Sequence, residues 1–133
     1  MLPDTPSELL QLALNDLRTC EADPRYRVEM AVWYVIKGGI CHVCLAGAVV
    51  ANSLPEKYQE FVSPPSFDYE VEKKLRALNL FRVGHIGDAY FILRRKQPEK
   101  LPSFVPVADY DVNPSQFYTD MESLVKLLQE HEE

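Results

Sequence analysis

Apolar positions along the chain follow two periods. Leu9, Leu10, Ala13, Leu14 and Leu17 recur at the spacing of one helix face, and Thr5-Pro6-Ser7-Glu8 ahead of them reads as a capping box with proline at the first helical position. That helix ends near Asp23-Pro24. Tyr26, Val28, Met30, Val32 and Tyr34 then alternate with Arg27, Glu29, Ala31 and Trp33, which predicts a half-buried strand closed by Gly38-Gly39.

From Ile40 to Leu54 small and apolar residues occupy every face, so a central buried helix is expected there. Gly47 weakens such a helix by about 1 kcal/mol relative to Ala, and the compensation expected is a close crossing of another element. Pro55 to Pro65 reads as a loop or short turn. Asp68 caps a further helix that turns Val71, Leu75, Leu78 and Phe81 inward and Glu70, Glu72, Lys73, Lys74 and Arg76 toward water. Gly84-His85-Ile86-Gly87 breaks it, and a short helix follows from Ile86 to Leu93. Residues 94–112 form a connector with an extended piece at Ser103 to Ala108. Asn113-Pro114-Ser115-Gln116 opens a terminal helix with Phe117, Met121, Leu124, Val125 and Leu128 on its inner side.

The elements add up to an α+β fold, mainly helical, with a buried central helix and a small antiparallel sheet. At 133 residues and 47% hydrophobic composition the chain is one domain, residues 1–133, able to bury about two-thirds of its extended surface without staples. The net charge of -6 is shared evenly by the two halves, so no basic arm exists and direct nucleic-acid binding is not expected. Neither a signal peptide nor a membrane span is apparent, which places the chain in the cytoplasm with reduced thiols.

The chemistry-bearing residues are few. Cys41-His42-Val43-Cys44 falls at the start of the apolar helix as expected from the pattern, where free amides and the positive dipole end lower a thiol's pKa. With His85 as base, Cys41, or less readily Cys44, would make a Cys-His hydrolase in the order used by papain-like and NlpC-like peptidases. The alternative is a pair of inert buried thiols. Cys41 and Cys44, completed by Cys20 and His85, offer half of a zinc site; with no second pair, neither metal nor cofactor is expected.

Guanidinium and ring side chains supply the binding candidates. Arg25, Arg27, Trp33 and Tyr34 bracket the expected strand, and Arg94 and Arg95 form the dense basic cluster. Phe104 and Tyr110 sit on a proline-rich connector suited to protein recognition. Phosphate-loop, dinucleotide, zincin and serine-hydrolase motifs do not occur.

Three segments carry a resemblance: Cys20-Glu21-Ala22-Asp23-Pro24-Arg25-Tyr26 with Met30 and Trp33, then Cys41 through Ala51, then Leu78-Asn79-Leu80-Phe81-Arg82-Val83-Gly84. Together they resemble a family of small uncharacterised bacteriophage proteins. The resemblance implies a phage-encoded binding protein that inhibits a host antiphage-defence protein by direct contact. A second mode is an oligomer that sequesters an anionic nucleotide signal through Arg25, Arg27, Arg82 or the cluster at 94–96.

Overall fold

The computed structural model describes residues 2–54, 69–79 and 110–131. Helix α1, Pro6–Ala22, starts as its capping box dictates: the Glu8 amide donates to Thr5 Oγ1 at 3.4 Å, and the Thr5 hydroxyl donates to the Glu8 carboxylate at 2.7 Å. It stops where Asp23 turns extended ahead of Pro24. The inward stripe from Leu9 to Leu17, continued by Cys20, is buried.

The expected strand from Tyr26 to Tyr34 is two strands. β1 spans Tyr26–Val28 and β2 spans Tyr34–Lys37, separated by a turn in which the Val32 amide donates to the Glu29 carbonyl at 3.3 Å. Both flank β3, Ile40–Val43, which pairs parallel with β1 and antiparallel with β2 in the order β1-β3-β2. The sheet is therefore mixed. Its antiparallel half is a two-residue hairpin with Gly38 at φ 57 and Gly39 at φ 80, a turn that requires left-handed backbone at both positions.

Beyond the hairpin the apolar run divides. Ile40–Val43 pairs with β2, and helix α2 covers only Leu45–Asn52, with Cys44 extended at its N-cap. The turn geometry commits the first residues after Gly39 to pairing, so helical propensity acts only once β3 has ended. All seven residues from Leu45 to Ala51 are buried, as a central helix demands. Gly47 marks the expected close crossing: a Cβ there would lie 1.5 Å from the Trp33 carbonyl oxygen.

Helix α3, Tyr69–Asn79, buries Val71, Leu75 and Leu78, and helix α4, Pro114–His131, buries Phe117, Met121, Leu124, Val125 and Leu128. The α4 cap is the expected one, with the Gln116 amide donating to Asn113 Oδ1 at 3.1 Å. Helices α2, α3 and α4 all pack on α1, so the described residues form four helices and one small sheet around a single apolar cluster. Among the described residues, no helix is long and apolar enough to cross a membrane. The expected loop at Pro55 to Pro65, Asp68, Phe81, the helix from Ile86 and the extended piece at Ser103 lie outside the described residues.

Candidate functional site on the outer face of the sheet

Strand parity sorts the chemistry of this molecule into two sides. Cross-strand partners point to the same side, and successive residues alternate. Cys41 and Val43 of β3 are buried with Tyr34 of β2, facing the core. His42, between them, faces the other way.

On the core side the thiols of Cys20 and Cys41 are held protonated. Cys41 stands on a strand rather than on the first turn of a helix, so the dipole effect expected for it does not operate; burial pushes its thiol up, and the Tyr34 hydroxyl is its hydrogen-bond partner. Burial raises the Cys20 thiol to about 11, against the opposing effect of the Asn52 amide, which donates to its sulfur at 3.2 Å. Cys44 is fully buried and donates to Asn79 Oδ1 at 3.6 Å. A nucleophile needs the opposite, a depressed pKa and access to solvent. Among the described residues, no group of three or more His, Cys, Asp and Glu side chains is placed to hold a metal ion.

Facing outward, register places Arg27 of β1 beside His42 of β3, with Val35 of β2 on its other flank and Lys37 beside Ile40. Glu29 follows β1 and directs one carboxylate oxygen, Oε2, at both His42 Nδ1 (3.3 Å) and Lys37 Nζ (3.4 Å). The His42 side chain is only 13% exposed, and its Nδ1 lacks a well-formed hydrogen bond, leaving Glu29 as its nearest carboxylate. Arg27 is exposed and makes no ion pair among the described residues.

The binding candidates read from sequence separate on this geometry. Arg25 is exposed but engaged, its guanidinium forked on Asp23 with Nη2 at 2.7 Å, which holds the Asp23 carboxyl below its ordinary range. Trp33 is half-buried: its carbonyl accepts from the Cys44 amide at 3.3 Å, and the Arg76 guanidinium lies 6.0 Å from its ring. Tyr34 is a core residue, so it does not face a ligand. Tyr110, expected on an exposed connector, is 9% exposed; its ring meets Phe117 edge-on at 5.3 Å and its hydroxyl donates to Glu21. Arg82, His85, Arg94, Arg95 and Phe104 lie outside the described residues.

Sequence reasoning missed the Glu29–His42–Lys37 group. The signal was available in parity: once Ile40–Val43 is a strand, His42 must face away from Cys41. No protein-family model, curated protein or solved structure matches this chain.

Proposed function

We propose that the protein is a binding protein that acts on a host bacterial protein by direct contact in the cytoplasm, with the outer face of the sheet as its working surface. One observation carries this reading: Arg27 stands exposed on that face with no ion-pair partner among the described residues, while all three cysteines are buried. An arginine without a carboxylate of its own is the residue type that anchors interfaces. The resemblance to small bacteriophage proteins supports a bacterial partner, and the buried thiols weigh against the Cys-His hydrolase.

Affinity capture from bacterial lysate tests it with three baits: the wild-type chain, Arg27→Glu, and Lys126→Glu. The last makes the same charge change on the exposed side of α4. The expected result is one host protein retained by wild type and Lys126→Glu and lost with Arg27→Glu. Equal retention by all three baits overturns the assignment of the surface. Capture of nothing, together with a rise in thermal stability on adding a cyclic nucleotide or ADP-ribose, replaces the protein partner with a nucleotide.

A further inference from the structure

The charge layout of the outer sheet face specifies the kind of group it receives. Glu29 directs one oxygen at Lys37 Nζ and His42 Nδ1, and Arg27 has no ion-pair partner among the described residues. Of its described residues, this face therefore sets the two cations Arg27 and Lys37 against the one carboxylate of Glu29, in a chain whose net charge is -6. Of the described helices only α1 and α2 contact the sheet, and the buried Tyr34, Cys41 and Val43 belong to the same apolar cluster as those helices. His42, Arg27 and Lys37 lie on the opposite side.

Resting on the reading above, we propose that Arg27 receives a carboxylate side chain from an extended acidic segment of the partner protein. The planar guanidinium fork matches a carboxylate through two parallel hydrogen bonds. A carboxylate brings a single negative charge to Arg27, whereas a phosphate dianion would bring two toward Glu29, whose oxygen is 3.3 Å from the neighbouring imidazole. Val35 and Ile40 share the face with His42 and Lys37 and are half-buried, so they offer apolar contact to the residues flanking that carboxylate. Glu29 sets the preference: its carboxylate is directed at Lys37 and His42, so an incoming anion meets at Arg27 a donor with no ion-pair partner among the described residues.

The test is an NMR titration of the full chain, 15N-labelled, with a hexaglutamate peptide at low salt, hexalysine and inorganic phosphate serving as the comparison probes. Saturable shifts in the Arg27 Nε–H and in the amides of Arg27, Val35 and His42 are expected with hexaglutamate. Arg27→Gln, verified as folded by its unchanged amide spectrum elsewhere, should weaken binding about tenfold, the loss of one charge-assisted pair. Phosphate saturating the same signals as readily as the peptide overturns the proposal, as do shifts that miss the face or are equally large with hexalysine. A peptide that fails while Arg27→Glu still abolishes capture from lysate removes the acidic-segment assignment alone. Capture indifferent to Arg27→Glu removes the working surface itself.

Discussion

Ser53, just past the end of α2, donates its hydroxyl to the Asp16 carboxylate of α1 at 2.5 Å. Asn52 beside it donates to the Asp16 carbonyl at 3.4 Å and to Cys20 Sγ at 3.2 Å, so the last turn of α2 is clasped to α1 by polar groups around a buried carboxyl. Burial outweighs the serine hydrogen bond and raises the Asp16 carboxyl to about 6.

A pH dependence of stability follows. Folding favours the protonated form of an acid whose pKa is raised, so the contribution is fully present below the unfolded value near 3.8 and is lost as pH rises through about 6. Between pH 5 and pH 7 the loss is about 1 kcal/mol. Urea midpoints of the wild type should fall over this range. Asp16→Asn, which keeps the acceptor for Ser53 but not the charge, should flatten that component and raise the midpoint at pH 7.

Gly47→Ala tests the close crossing. In an exposed helix this substitution stabilises by about 1 kcal/mol. Here the new methyl would lie 1.5 Å from the Trp33 carbonyl oxygen and 2.7 Å from its carbon, both backbone atoms fixed by the entry to β2. The expected outcome is a loss of about 3 kcal/mol, seen as a lowered thermal midpoint, with Trp33 fluorescence reporting displacement.

The three thiols should resist iodoacetamide at neutral pH in the native state and react together in denaturant, as buried cysteines do. Mass spectrometry of the two samples decides this. Rapid labelling of Cys41 in the folded chain would restore the hydrolase alternative. Cys41→Ala, provided it folds, should leave partner capture unchanged.

Glu21 joins α1 to the start of α4 by accepting from both the Tyr110 and Tyr118 hydroxyls, the latter at 2.7 Å. Arg18, one turn earlier, lies 4.3 Å from the Tyr118 ring centre and pairs with Glu122 of α4. Glu21→Ala leaves two part-buried hydroxyls without their acceptor and should cost about 2 kcal/mol. Arg18→Ala removes a pair that is nearly half exposed and should cost about 0.5 kcal/mol. Chemical denaturation of the two variants checks the ranking.

The helices were legible in the sequence because their signals are local. Thr5 and Asn113 carry their own caps, and the apolar stripes of α1, α3 and α4 repeat at a period no neighbour needs to enforce. Strands are specified by partners. Ile40–Val43 reads as the first turn of a hydrophobic helix until the Gly38–Gly39 turn folds it back on β2, and Tyr26 to Tyr34 keeps its alternation through a turn that breaks the strand. The same limit governed the candidate site. Arg25 and Arg27 look equivalent in sequence, and only the fold shows that Asp23 claims the first and nothing among the described residues claims the second. Likewise, Tyr34 reads as a binding candidate and Tyr110 as a ring on an exposed connector, yet both close the core.

Because β3 lies between β1 and β2, those two strands never touch each other, although they come first and second along the chain. A nascent polypeptide that has reached only Gly38 holds two ribbons with no native partner for either. Both ribbons gain their partner only when β3 is made, and its parallel seam with Tyr26–Val28 sets the Arg27 guanidinium beside the imidazole. No intermediate lacking β3 can display the proposed binding face.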